Sequence, residues 1–235
     1  MLDDAELKRL ILDLLRTKKK RDKQRKIGAS GIGDPCLYCL AHALLGTQQR
    51  PSKYWLGAKI GDAIHALLEK EVLKHILTPQ SYHFKVLQGA LPEQTVYIGT
   101  IPGYGDVYST PDLFITSEGH LVDYKTSKRA KVEGYRLGNP LPARYIYQIQ
   151  LYARALVALG HKVEKLSFVF INRDGTGDSD VVIISLDYDQ TLADEAWDRV
   201  VSAWQWLEAG GDPETLPSDP DCFVCNVLNH RMMVI

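Results

Sequence analysis

The chain has four cysteines, and they fall as two Cys-x-x-Cys pairs at opposite ends: Cys36/Cys39 and Cys222/Cys225. A pair at this spacing can hold one ion through both thiolates, and two pairs complete a tetrahedral site. Such spacing in a cytosolic chain reads as metal binding rather than as disulfides. If all four share one site, the fold must bring its last segment back to its first and close a very long loop. Iron–sulfur clusters also take four cysteinate ligands, so these residues leave Zn²⁺ and a cluster both open. His230 could substitute in a zinc site, but four cysteines suffice without it.

With 235 residues there is material for one well-buried domain. The net charge of −1 does not advertise a polyanion partner, so any case for nucleic acid rests on local charge. No apolar run approaches the ~20 residues a membrane span needs, and the N-terminus lacks a signal-peptide apolar block. The reading is a cytoplasmic protein with no membrane partner. Leu2, Leu7, Leu10, Ile11, Leu14 and Leu15 predict an N-terminal helix. A basic run from Lys18 to Lys26 follows it, suited to DNA phosphates or to plain solvation. The expected organisation is this arm (1–27), then one domain (28–235). In that domain a cysteine lobe (28–54 and 210–235) surrounds a core (55–209).

The chemistry concentrates between Pro111 and Arg129. Leu113–Ile115 and Leu121-Val122 read as strands, with Thr116 to His120 as their turn. Side chains alternate along a strand with period two, so Asp123 and Lys125 share a face and Tyr124 points the other way. A hairpin of this length brings Asp112 beside Asp123. Two adjacent carboxylates repel unless a cation lies between them, and hard oxygen ligands select Mg²⁺ or Mn²⁺. Two carboxylates and an ammonium suit metal-assisted phosphodiester hydrolysis, with Lys125 orienting water or stabilising charge. A bare Asp-x-Lys would otherwise be a surface salt bridge, and Glu118 reads as a turn residue.

Around the hairpin, Trp55 to Lys74 predicts a helix, with Ile60, Ile64, Leu67, Leu68, Val72 and Leu73 as its apolar stripe. Gly57, Gly61, His65 and Glu69 lie four apart on one face, where small residues allow a backbone or a DNA strand to approach. Tyr82–Leu87 and Thr95–Ile98 read as strands, and Gly28–Pro35 and Gly134–Arg144 as loops. Lys128, Arg129 and Lys131 are placed to meet phosphates. Tyr145 to Leu159 predicts a helix that puts Gln148 and Tyr152 on one face. Leu166–Ile171 and Val181–Leu186 read as strands, Leu192–Leu207 as a helix, and Pro213–Asp221 as a strap to the last cysteines.

Pro-Asp, a hairpin, then Asp-Tyr-Lys-Thr resembles the core motif of the PD-(D/E)XK nuclease superfamily. The wording is similar to the RecB-type branch, which includes CRISPR-associated iron–sulfur exonucleases and their phage-encoded relatives. The resemblance runs from about Ser30 to Tyr152, plus the C-terminal cysteine pair. It implies an α/β fold: a restriction-endonuclease-like core, its mixed central sheet flanked by helices, with a cysteine-ligated lobe from both chain ends. It also implies a metal-dependent nuclease, with an exonuclease on DNA ends or single strands as the expected form. Gly-x-x-x-His-x-x-x-Glu resembles the family's first motif, which gives His65 a metal role and Glu69 a looser one. Asp112 and Asp123 become metal ligands, helped by the Tyr124 carbonyl, and Lys125 completes the catalytic set. Asp106, in Gly103-Tyr104-Gly105-Asp106, is the alternative first carboxylate. Gln-x-x-x-Tyr resembles the signature that contacts DNA, which assigns Gln148 and Tyr152. Lys128 and Arg129 join them as expected substrate contacts. By the same similarity the cysteines hold a [4Fe-4S] cluster, with Zn²⁺ as the alternative; the family's usual pattern is one early cysteine and three late ones. A non-catalytic nucleic-acid binding module and a cysteine-cluster sensor are the rival functions. Oligomeric state is not legible.

Overall fold

In the computed structural model, residues 27–48 and 55–227 are described. The N-terminal leucines, the Lys18–Lys26 run and His230 lie outside them. Five strands form a mixed sheet in the order β1-β4-β5-β6-β7: Leu91–Pro92, Leu113–Ile115, His120–Ser127, Lys165–Asn172 and Val181–Leu186. The β5/β6 pair is parallel and its neighbours are antiparallel. Strands β2 (Val96–Ile101) and β3 (Gly105–Ser109) make a separate antiparallel hairpin.

Alternation along β5 sorts the two faces. Leu121 joins Phe114, Phe168 and Phe170 in the main core, against helix Ala143–Ala158. Val122 and Tyr124 turn to the other face, where Leu68, Val72 and Ile76 of helix Trp55–Ile76 cover them. In chain order the helices are α1 (Ala29–Ile32), α2 (Leu37–Leu44), α3 (Trp55–Ile76), α4 (Phe84–Leu87), α5 (Arg129–Arg136), α6 (Ala143–Ala158), α7 (Gln190–Glu208) and α8 (Phe223–Val227). The parallel β5/β6 pair requires a crossover, and α5 and α6 supply it. Among the described residues no helix is long and apolar enough to cross a membrane.

Several sequence expectations need correction. Tyr82–Leu87 is not a strand but a turn leading into the one-turn α4, with Tyr82 exposed. A short apolar run does not separate strand from helix by period alone. Gly28–Pro35 contains α1 rather than a plain loop, with Ile27, Ala29 and Ile32 buried. A buried segment must satisfy its own backbone groups, and one helical turn does so here. Helix α5 runs to Arg136 and buries Tyr135, so the loop expected from Gly134 begins later. The α3 stripe is narrower than read: Ile60, Leu67 and Leu73 are exposed, while Leu68 and Val72 face the sheet.

The lobe built from both chain ends is held by more than cysteines. Tyr38 N donates to Pro217 O at 3.4 Å. Arg199 Nη2 on α7 donates to Ile32 O at 2.9 Å. Buried Gln150 bonds Asp187 O and Asp189 N, fixing α6 to the start of α7.

Candidate functional site

The antiparallel register Leu113↔Val122 carries one step further to set Asp112 opposite Asp123. Asp112 Oδ2 accepts from Tyr124 N at 2.5 Å, so the β5 backbone fixes this carboxylate. Asp123 and Lys125 share the face toward α6, as period two requires. Lys125 Nζ lies 2.6 and 2.5 Å from the two Asp123 oxygens and 3.4 Å from Gln148 Oε1. Gln148 Nε2 donates to Tyr152 Oη at 2.9 Å. Helix α6 thus presents an i, i+4 pair that braces the lysine. Tyr152 is buried against the two aspartates, and burial pushes its phenol above the usual range.

From the opposite face, α3 delivers His65. Its Nδ1 lies 3.1 Å from Asp112 Oδ1 and 3.7 Å from Glu93 Oε1. Its ring meets that of Tyr124 edge-on at 5.8 Å. One donor atom each from His65, Glu93 and Asp112 lies within 4.8 Å of the others. A nitrogen and two carboxylate oxygens so placed fit a hard divalent cation such as Mg²⁺ or Mn²⁺. Asp112 therefore joins two half-sites, Asp123/Lys125/Gln148 and His65/Glu93.

Glu93 is the residue that sequence reasoning missed. It stands between β1 and β2 with φ of 46°, the one positive value at a non-glycine position among the described residues. Its N–H donates to Asp112 O at 3.0 Å, which holds the rare left-handed conformation. One signal was available. Pro92-Glu93 and Pro111-Asp112 are both Pro-acid pairs, and they flank the β2–β3 hairpin. The register Pro92↔Leu113 then sets the two acids side by side.

The remaining expected residues are distributed as follows. Glu69 lies one helical turn past His65 and is not in the group formed by His65, Glu93 and Asp112. Asp106 sits out on β3, where it accepts from Thr100 Oγ1 at 2.5 Å, away from the two half-sites. Arg129 turns to the β6–β7 connection, with Nη2 3.3 Å from Asp174 O and 3.7 Å from Asp180 Oδ1. Lys128 precedes α5 as its N-cap. The small face of α3 packs inward rather than lying open. A methyl on Gly61 would sit 3.2 Å from Thr126 Oγ1, and one on Gly57 would overlap Arg173.

Burial and like charge dominate the electrostatics. Asp123 is 1% exposed, and burial pushes its carboxyl up to about 6, with Lys125 pulling the other way. Hydrogen bonding to Asp112 and then to Glu93 pulls His65 up to about 10. A raised histidine pKa adds stability that is complete below the unfolded value near 6.5 and is lost as pH rises through about 10. The imidazolium and a metal compete for one place. The metal-free protein should therefore lose thermal stability between pH 7 and 10, and Mn²⁺ binding should tighten over that range. Thermal melts with and without Mn²⁺, on wild type and His65→Asn, check this; the variant should lose most of the pH dependence.

The cysteine pairs meet in a second cluster. Cys36 and Cys39 flank the first turn of α2, and Cys222 and Cys225 flank that of α8; all four are buried. Sulfurs stand 3.6 Å apart for Cys36/Cys225, 3.5 Å for Cys39/Cys222 and 3.6 Å for Cys39/Cys225. Donation from Cys39 pulls Cys36 down to about 5, while burial pushes Cys225 up to about 12. A tetrahedron with Zn–S of about 2.3 Å has an edge of about 3.8 Å, close to these separations. The larger [4Fe-4S] core would need the sulfurs farther apart.

No family model matches the sequence, and no curated protein matches it. Among solved structures, the chain is similar to an alkaline exonuclease (LHK-Exo) from Laribacter hongkongensis. The identity is 18%, over 79% of this chain and 89% of that one, with a TM-score of 0.49. The structure of LHK-Exo in complex with dAMP is similar at 19% identity and a TM-score of 0.48, over the same shares of the two chains. A phage-related exonuclease from Haemophilus somnus is similar at 13% identity, over 78% of this chain and 94% of that one, with a TM-score of 0.46.

Proposed function

We propose that this chain is a divalent-metal-dependent deoxyribonuclease, acting as an exonuclease on DNA ends or single strands in recombination, replication or repair. One observation carries the reading. His65 from α3, Asp112 ahead of β4, Asp123 and Lys125 from β5, and Gln148 and Tyr152 from α6 converge at one end of the sheet. They do so in the order His, Asp, Asp-x-Lys, Gln-x-x-x-Tyr along the chain.

Asp112 and Asp123, with His65 and Glu93, would hold Mg²⁺ or Mn²⁺. When bound, the ion supplies a Lewis acid for the phosphate and a water of lowered pKa. The protein supplies the rest. Lys125, held by Asp123 and Gln148, presents an ammonium to the attacking water and to charge gathering on the phosphate oxygens. Its fixed position matters more than its charge alone, because a donor already in place needs no reorganisation during reaction. Tyr152 bonds Gln148 and so fixes the amide that touches the lysine. Tyr124 N–H holds Asp112 from behind, leaving Oδ1 turned to His65.

For the cysteine site, the sulfur spacing supports a single tetrahedral ion such as Zn²⁺ over a [4Fe-4S] cluster. It would act as a structural clasp in a cytoplasmic protein.

The test is cleavage of end-labelled single- and double-stranded DNA with Mg²⁺ or Mn²⁺. Wild type should release labelled product. EDTA should abolish release, and Asp112→Ala should reduce it below detection. Wild type that binds DNA yet never cuts it under any divalent ion would sink the nuclease reading in favour of a binding module.

A further inference from the structure

The site described above uses Lys125 but leaves two nearby cations unexplained. Lys125 Nζ lies 5.1 Å from the centroid of the Tyr145 ring. Lys131 Nζ lies 5.5 Å from the same centroid, and Arg144 Cζ lies 5.7 Å from it. Three cations on one aromatic ring repel one another, although the ring's negative face offsets part of that cost. Asp123 neutralises Lys125. Among the described residues, neither Lys131 nor Arg144 makes an ion pair.

The other charges of α5 are already committed. Arg129 reaches Asp174 and Asp180, and Arg136 reaches Glu133 and the Ser179 carbonyl. Lys131 alone turns toward α6. It also lies 5.8 Å over the ring of Tyr135, which is 5% exposed. Burial pushes the Tyr135 phenol up, and the Lys131 ammonium beside it pulls the other way. Neither α5 nor α6 has a side-chain cap at its start, so first-turn N–H groups and the helix dipoles add positive potential nearby. Arg144 also acts on the buried Asp34, whose carboxyl burial pushes toward the neutral form.

We propose that Lys131 and Arg144, both close to the Tyr145 ring, form a phosphate subsite for the nucleic-acid strand, beside the phosphodiester that Lys125 serves. The inference rests on the nuclease reading and deepens it. It keeps Lys131 from the stretch Lys128, Arg129 and Lys131 that the sequence had nominated and adds Arg144, which like Lys131 makes no ion pair among the described residues. Phosphate contacts of this kind position a strand without reading its bases. The phosphate is either an internal diester or a terminal monoester of the strand.

The experiment measures binding of fluorescent single-stranded oligonucleotides of mixed sequence, with EDTA present to prevent cleavage, over a range of salt. The oligonucleotides carry a 5′-phosphate, a 3′-phosphate or neither. Wild type is compared with Lys131→Gln, Arg144→Gln, the double variant, and Lys74→Gln as an exposed control on α3. Each substitution at the subsite should flatten the plot of log affinity against log salt by about 0.7, and the double variant should bind about tenfold more weakly at low salt. In cleavage with Mn²⁺, KM should rise by a similar factor while kcat changes little. Equal loss on all three oligonucleotides assigns an internal phosphate. Loss confined to one phosphorylated end assigns that terminal phosphate. Either outcome supports the subsite. Wild-type affinity and salt slope in the double variant would overturn it, even if wild type cleaves DNA normally. Wild type that neither binds nor cuts any of the oligonucleotides would instead remove the nuclease reading.

Discussion

Lys125→Met should keep the DNA bound and leave it uncut. The ammonium is held by two side chains at the centre of the site, 2.5 Å from Asp123 and 3.4 Å from Gln148. Removing a preorganised donor of this type typically lowers kcat by about 10²–10³-fold. KM should move far less, since the strand-positioning groups remain. Stability should change too, in a way that pH exposes. Burial already lifts Asp123 to about 6. Above that pH the folded protein must carry a charged, buried carboxylate, whereas the unfolded chain has been ionised since about pH 3.8. Without Lys125 the carboxyl rises further. The variant should melt close to wild type near pH 5 and fall increasingly below it toward pH 8. Breaking a buried ion pair costs about 3–5 kcal/mol when the remaining partner stays ionised; proton uptake by Asp123 reduces that cost. Thermal melts in EDTA and single-turnover cleavage separate the two effects. A kcat within a few-fold of wild type would remove Lys125 from the chemistry.

Loss of the cysteine clasp should be the largest single blow to stability. Cys36→Ser with Cys225→Ser removes two ligands, one from each end of the chain. By the chain-entropy relation, a cross-link closing a loop of 100 residues or more contributes about 5 kcal/mol. For a domain of this size that corresponds to roughly 10–20 °C in Tm. A strong zinc chelator should lower the melt of wild type in the same way and leave the double variant unmoved. Metal analysis should find about one zinc per chain, and the protein should be colourless. A brown protein with several irons per chain would return the site to the iron–sulfur reading implied by the family resemblance. Cleavage by the surviving folded fraction should be normal, because the cysteines and the group formed by His65, Glu93 and Asp112 are separate sets of donor atoms. If activity disappears while the melt is unchanged, the cluster is a working centre rather than a clasp.

The sequence made most of the architecture legible wherever one local rule decided it. Period two along β5 placed Asp123 and Lys125 on one face and Tyr124 on the other, and the two faces pack against different helices. The i, i+4 spacing on α6 put Gln148 beside Tyr152, where the bond at 2.9 Å joins them. The β6 and β7 strands and the helix from Gln190 to Glu208 follow their apolar periods closely. Local rules failed where the deciding partner was distant. Gly28–Pro35 looked like a loop because its composition is rich in glycine, yet burial against the core turned part of it into helix. Arg129, nominated for phosphate from the sequence, stays exposed while reaching the turn at Asp174 and Asp180, a neighbour that its own element does not reveal.

By itself the sequence determined that two cysteine pairs have the spacing for one shared site, that Asp112 can return to Asp123 across a short hairpin, and that Lys125 shares the face of Asp123. Each follows from spacing along one or two adjacent elements. Only the tertiary structure decided that Glu93 completes the group with His65 and Asp112. Its place depends on a positive φ and on a hydrogen bond to Asp112. It likewise decided the sulfur separations and the gathering of Lys131 and Arg144 around Tyr145. These depend on where elements far apart in the chain come to rest, and periodicity within a single element carries no information about that.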